Sequence, residues 1–236
     1  MSNNGARIQS YEALTLRAFG RATSAPNTWP ATSFTTSSQW GVAVLNKMKE
    51  VEVDLAKSLF DSLNCDGDIV EFGVYQGQWL ERLMAWSEGR TVYGFDSFEG
   101  LPSPGKEDQG MGWHHGQYAA SLDEVSQAIG AAHRSNVHLV KGWFKDTLAR
   151  APATNITKIA FARIDCDLYS STCDCLAFLR GRLADGAILV FDDWTFDITK
   201  GETKAFFEWE PSSGYHFELI GHLGIGRLYL RATVRR

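Results

Sequence analysis

Asp68-Ile69-Val70-Glu71-Phe72-Gly73-Val74-Tyr75-Gln76-Gly77 is the stretch on which the fold turns. Residues 69–72 form a short apolar run of strand length. Gly73 lets the chain turn tightly and lets a ligand approach the backbone, and Gly77 opens the helix that follows. Further along, apolar runs at 91–95, 137–140, 158–164 and 187–191 alternate with helical patterns near 77–87, 121–132, 143–150 and 171–183. The pattern at 121 begins with Ser121 and Glu124 spaced as a capping box. Continuous apolar strands alternating with helices predict an α/β fold, a mostly parallel sheet covered on both faces. Residues 216–221 and 225–232 flank a Gly-containing turn and read as a terminal antiparallel β-hairpin. Upstream, apolar residues at mostly helical spacing between 39 and 63 predict a helix that Asp66-Gly67-Asp68 breaks. Residues 1–38, polar and rich in Ser and Thr, are expected to be an arm or lid, and 39–236 a single domain.

Composition narrows the function classes. Apolar residues make up 44% and charged residues 22% of the 236, enough apolar side chain for a packed core. A net charge of −5 argues against a nucleic-acid partner. No window approaches the roughly 18 apolar residues of a membrane span, so no membrane partner is expected. Cys65, Cys166, Cys173 and Cys175 fit neither a zinc site nor a disulfide framework, and the N-terminus has no apolar signal core; reduced thiols in the cytoplasm are the expectation.

In such a sheet ligands bind beyond the carboxyl ends of the strands, where strand order reverses. The turn after the first strand is not the G-x-G-x-x-G loop that cradles a pyrophosphate, which disfavours a nicotinamide or flavin dinucleotide. Asp96, about 20 residues further on, is placed to accept hydrogen bonds from a ribose diol, the alternative being a cap on the following turn. Ser97 lies beside it. After the third strand, Gly142 precedes Trp143 and Phe144, either of which can pack on an adenine ring or belong to the core.

The fourth and fifth strands end in Arg163-Ile164-Asp165-Cys166-Asp167 and Phe191-Asp192-Asp193-Trp194. Carboxylates crowded on one rim raise one another's pKa values unless something positive joins them. Oxygen donors of this kind favour hard cations such as Mg²⁺, Ca²⁺ or Mn²⁺. The structural alternatives are that Asp165 caps a helix near Ser171 and that Asp192 or Asp193 pairs with Arg163 or Lys200. With a metal held among these acids, a substrate hydroxyl becomes more acidic and is held in line for attack. Asp165, Asp167 and His115 are the candidate bases. His114 and His115 lie in a Gly-rich loop that also carries Trp113 and Tyr118. These two aromatics, with Trp194, either stack on an acceptor ring or pack.

The blocks DIVEFGVYQG (68–77), GFDSFEGLP (94–102), VKGWFKDTL (140–148), RIDCDLYSST (163–172) and LADGAILVFDDW (183–194) resemble the macrocin-type O-methyltransferases, the TylF, MycF and NovP type, over residues 67 to 194. The resemblance implies a class I methyltransferase sheet, S-adenosylmethionine as methyl donor, Mg²⁺ as metal, a sugar or natural-product hydroxyl as acceptor, and a homo-oligomer. It carries the metal-ligand role to Asp165, Asp192 and Asp193, and places Glu71, Gly73, Asp96 and Trp143 near the cofactor. Two features depart from the pattern: Gln78 stands where a small residue is usual, and the stretch 195–210 is longer. The competing readings are a nicotinamide-dependent oxidoreductase and a non-catalytic nucleoside-binding module.

Overall fold

The computed structural model describes residues 39–223 and 226–236, with side chains from residue 49 onward. The expected arm, residues 1–38, lies outside the described residues, as does Ile225 at the start of the expected last strand. Two compact units divide between residues 47 and 48. The described part of the first is helical backbone at 39–47, and all that follows concerns the second.

The elements run α1 (Gln39–Asp61), β1 (Asp68–Phe72), α2 (Gln78–Trp86), β2 (Val92–Asp96), α3 (Leu122–Ala128), β3 (Val137–Lys141), α4 (Phe144–Thr147), β4 (Ile159–Ile164), α5 (Tyr169–Leu179), β5 (Leu183–Phe191), α6 (Gly201–Trp209), β6 (Tyr215–Leu223) and β7 (Arg227–Val234). The sheet order is β3-β2-β1-β4-β5-β7-β6. All neighbours pair parallel except β7, which is antiparallel to β5 and to β6. This is the α/β fold with a terminal hairpin that the alternation predicts. Among the described residues, no helix is long and apolar enough to cross a membrane.

The central strands β1, β2 and β4 have almost no exposed residue, because helices cover both faces. On one face Ala56 and Phe60 of α1 and Leu80, Leu83 and Met84 of α2 pack on Ile69, Phe161 and Ile188. Ser121 caps α3, its hydroxyl accepting the Glu124 N–H. Several boundaries differ from expectation, and the helix expected at 121–132 ends at Ala128. The helix expected at 143–150 is the single turn α4. The helix expected at 171–183 starts at Tyr169 and stops at Leu179, and the chain turns through Gly181 at φ 73° into a β5 that begins at Leu183. Exposed Asp185 interrupts the apolar run there, so the start of β5 is hidden in the sequence. Helix α6 was not expected; it buries Ala205, Phe206 and Trp209, one face of a 3.6-residue period.

The chain leaves β1 outward through β2 and β3, then crosses back to lay β4 against the other side of β1. Strand order reverses between β1 and β4, and their carboxyl ends approach closely. Gly73 has φ 88°, and a Cβ there would lie 1.7 Å from the Asp165 carbonyl oxygen. Gly73→Ala is therefore expected to destabilise the protein by about 3 kcal/mol, from strain plus forced backbone movement. At this size that lowers Tm by roughly 6–12 °C. Thermal denaturation checks it, and a wild-type Tm would show that the two strand ends can move apart freely.

Candidate functional site

The register of β4 builds the site. Glu71 pairs with Arg163 and Arg163 with Val190; one step on, Phe72 pairs with Ile164 and Ile164 with Phe191. Side chains alternate faces along a strand, so Glu71 and Arg163 share a face with the residues two further along, Asp165 and Asp192. The backbone ladder runs one step past the strands: Asp165 N–H donates to Phe72 O at 2.8 Å and Asp192 N–H to Ile164 O at 2.9 Å. One carboxylate oxygen each from Asp165, Asp192 and Asp193 come within 4.8 Å of one another. The three expected metal ligands are thus brought together.

Arg163, 3% exposed, sits at the centre. Its Nη1 donates to Glu71 Oε1 at 2.9 Å and to Asp165 Oδ2 at 2.5 Å, and its Nη2 to Asp192 Oδ1. The guanidinium lies 4.9 Å from the Trp79 ring centre. Arg227, at the start of β7, places Nε 2.9 Å from Asp192 Oδ1 and 2.8 Å from Glu52 Oε1 of α1. The arginine pairing weighed from the sequence is therefore real for Asp192, and Asp165 shares the same guanidinium. Lys200 does not supply it; it stands at the N-cap of α6. Asp165 does not cap α5 either: the Tyr169 N–H donates to Asp108 Oδ1 at 2.8 Å.

Arginine does not exhaust the negative charge. Asp167, at φ 60° in a tight turn where Leu168 N–H meets Cys166 O, lies close enough to Asp193 for the two carboxyls to interact. Burial pushes Glu71 up to about 8, with Arg163 working against it, and Asp167 up to about 7, with Asp165 adding to it. Burial likewise raises Asp192, Asp193 and Glu202 well above the ordinary carboxylate range. Glu71, Asp165, Asp167, Asp192, Asp193 and Glu202 outnumber the cationic groups among them, Arg163 and Arg227. Clustered hard oxygen donors with too little positive charge suit a dication such as Mg²⁺ or Mn²⁺.

The cluster forms one wall of a cavity of about 770 Å³. Glu71, Gly73, Asp96, Ser97, Gly142, Trp143 and Phe144, all expected near a cofactor, line it, as do Asp165, Asp167, Asp192 and Asp193. Glu71 Oε2 is buried without a hydrogen-bond partner, so a polar atom waits at the cavity wall.

Several residues have roles other than those expected. Asp96 Oδ2 accepts the N–H groups of Val74 and Tyr75 at 2.7 and 2.9 Å, and Oδ1 that of Phe98 at 2.6 Å. It holds the turn after β1 and caps its own turn, leaving little acceptor capacity for a ribose diol. The Ser97 hydroxyl donates to Gly100 O at 2.8 Å and accepts the Glu99 N–H at 3.0 Å. Gly77 does not line the cavity; at φ 81°, its missing Cβ makes room for Ile129 and Val125. His115 is exposed and absent from the cavity wall, so the structure does not bring this candidate base to the acids.

Trp194 is core, packed on Phe191, Phe206 and Phe207. Tyr118 lines the cavity, edge-on to Tyr75 at 5.4 Å, with Trp113 6.1 Å away. Arg227, Glu52 and Glu202 were not anticipated. Arg163 carried a readable signal, because a charge inside an otherwise apolar strand needs a partner. The others lie far apart in sequence and gave none.

The family model described as macrocin O-methyltransferase (TylF) matches residues 7–213. An 8-demethyl-8-(2,3-dimethoxy-alpha-L-rhamnosyl)-tetracenomycin-C 4'-O-methyltransferase of Streptomyces olivaceus is 31% identical over 186 residues, 73% of this chain and 67% of that protein. The chain spans about two thirds of the length of the curated relatives it matches. Among solved structures, the O-methyltransferase NovP superposes with a TM-score of 0.62 at 26% identity, covering 77% of this chain and 79% of that one. The calicheamicin methyltransferase CalS11 gives 0.60 at 25% identity, covering 98% and 94%.

The raised carboxyls set a pH dependence. Glu71 and Asp167 bind protons in the folded chain at pH values where the unfolded chain has released them, so metal-free stability falls as pH rises from about 4.5 through 8. Tm measured in chelator should decline across that range, and Asp167→Asn should flatten the decline. A Tm that rises over the same interval would contradict this charge imbalance.

Proposed function

This chain belongs to the TylF macrocin O-methyltransferase family, and from that premise we propose that it transfers a methyl group from S-adenosylmethionine to a hydroxyl of a sugar or glycosylated natural product, assisted by Mg²⁺ or Mn²⁺. The relatives named above support the acceptor class, since one is named for a rhamnosylated tetracenomycin and another for calicheamicin. One observation carries the metal dependence: Asp165, Asp192 and Asp193 converge within 4.8 Å on the wall of the cavity that also holds the cofactor-side residues.

The donor fits the half of the cavity lined by Glu71, Gly73, Gly142, Trp143 and Phe144. Glu71 Oε2, left without a partner, accepts a hydrogen bond from the ammonium group of the methionine portion. Gly73 and Gly142, both at positive φ, turn the backbone at the cavity wall where a Cβ would strike Asp165 and Thr147. Trp143 and Phe144, half-buried at the start of α4, offer ring faces to the adenine. Asp96 keeps the turn after β1 in place and has room on Oδ1 for one ribose hydroxyl rather than two.

Asp165, Asp192 and Asp193 hold the dication. When bound, it supplies Lewis-acid activation that makes the acceptor hydroxyl easier to deprotonate. Asp165 and Asp192 are steadied by Arg163, which suits ligands better than bases. Asp167 lines the cavity without a guanidinium hydrogen bond, and we assign it the proton leaving the acceptor oxygen. That oxygen then bonds to the methyl carbon as the carbon–sulfur bond breaks, and the electron pair stays on sulfur. Tyr75 and Tyr118, exposed on the cavity wall, face the acceptor side.

The double substitution Asp192→Ala with Asp193→Ala is expected to reduce methyl transfer at least about 100-fold while S-adenosylhomocysteine still raises Tm. Thermal shift with S-adenosylhomocysteine and NADH, with and without Mg²⁺, tests donor and metal together, and turnover is followed over rhamnoside and other glycoside acceptors. Stabilisation by NADH alone would overturn the donor assignment, and full activity in EDTA would overturn the metal assignment.

A further inference from the structure

Glu202 lies in the first turn of α6 and is fully buried. Its Oε1 accepts the Cys166 N–H at 3.3 Å, and its Oε2 accepts the Asp193 N–H at 3.1 Å. The first amide belongs to the loop that leaves β4 directly after Asp165, the second to the loop that leaves β5 directly after Asp192. One carboxylate thus takes one backbone donor from each acid-bearing loop, on separate oxygens. Nothing in the β4–β5 ladder does this, because its last bond joins Asp192 N–H to Ile164 O, before either loop turns away.

The residues beside Glu202 reinforce the attachment. Thr203 Oγ1 accepts the Thr195 N–H and donates to Thr195 O, both at 2.9 Å, fixing the loop two residues beyond Asp193. Gly201, at φ 45°, brings the start of α6 so close that a Cβ there would lie 3.3 Å from the Asp167 carbonyl oxygen. A fully buried carboxyl amid other carboxyls is an expensive way to hold two loops. If core packing were the only demand, an apolar side chain would serve.

We infer that Glu202 is a positioning residue for the dication site, fixing the separation of Asp165 from Asp193 by joining the backbones that carry them. The inference rests on the metal reading above and extends it to a residue that touches neither metal nor substrate. Ligands held by shared hydrogen bonds keep their geometry when empty, and loss of such outer partners typically costs 10–100-fold in metal affinity.

The test is Mn²⁺ binding to the full chain, read as free Mn²⁺ by electron paramagnetic resonance, for wild type, Glu202→Gln and Glu202→Asp. S-adenosylhomocysteine affinity is measured in parallel by calorimetry. Glu202→Asp decides the matter: it keeps the negative charge but is one methylene too short to reach both amides. Both variants are expected to raise the Mn²⁺ Kd about 10–100-fold and to change the S-adenosylhomocysteine Kd less than about twofold. Glu202→Asp binding Mn²⁺ as wild type does, with only Glu202→Gln weakened, would mean that Glu202 acts by charge and overturns the inference. A lower Tm with unchanged Mn²⁺ affinity would reduce Glu202 to a structural role. Wild type that binds no Mn²⁺ sinks the metal reading itself, a result separate from any behaviour of the variants. Should neither variant fold, hydrogen exchange on wild type replaces them: the Cys166 and Asp193 amides are expected to be protected and to gain protection together with Mg²⁺, and exchange at unprotected rates would overturn the inference.

Discussion

A single buried guanidinium organises this molecule's working end. Arg163 emerges from the middle strand at the point where strand order reverses, and binds one carboxylate from each of three strand ends: Glu71, Asp165 and Asp192. Burying an arginine in an otherwise apolar sheet is tolerable only with such partners, and burying the acids is tolerable only with the arginine. Glu71, Asp165 and Asp192 therefore share one counter-ion. Trp79 covers the guanidinium from the side of α2, so its position is set by packing as well as by charge.

What Arg163 leaves undone defines the chemistry. It neutralises part of the cluster, and Arg227 adds a second cation from β7 while tying Asp192 to Glu52 of α1. The remainder is high in proton affinity, as the raised values for Asp167, Asp193 and Glu202 indicate. Such a cluster can take up protons or a hard dication, and the two compete. Binding a dication there releases protons from the same acids, as metal ligation generally requires. Glu202 and Thr203 work at the level of the backbone, holding the loops that carry the acids while leaving the side chains free for ligands.

The two ends of the cavity differ in character, and both are built from the same strand ends. On the β2 and β3 side, positive-φ glycines and half-buried rings line the cavity. Asp96 fixes the turn after β1 through the Val74 and Tyr75 amides. On the rim, Tyr75 and Tyr118 stand exposed at positive φ, an unfavourable conformation for large side chains that the surrounding turns enforce.

The sequence by itself determined the strand–helix alternation, the terminal hairpin, the turn at Gly73 and the acids Asp165, Asp167, Asp192 and Asp193 at two strand ends. Each of these depends on local periodicity, on the conformational freedom of glycine, or on acids placed just past apolar runs, and all of that is written in neighbouring residues. It named Asp96, with a turn cap as one alternative, but not its bonds to the Val74 and Tyr75 amides, since what a polar group bonds to depends on which loop folds back against it. It offered His115 as a base because histidine in a glycine-rich loop is chemically apt, and only the path of that loop sets it away from the acids. Tertiary structure alone decided that Arg163 would bridge three strands, that Arg227 would join Glu52 to Asp192 across 175 residues, and that Glu202 would pin two loops from a helix the pattern did not announce. Those contacts come from strand register and crossover, and a one-dimensional spacing carries no record of which distant residue will lie beside another.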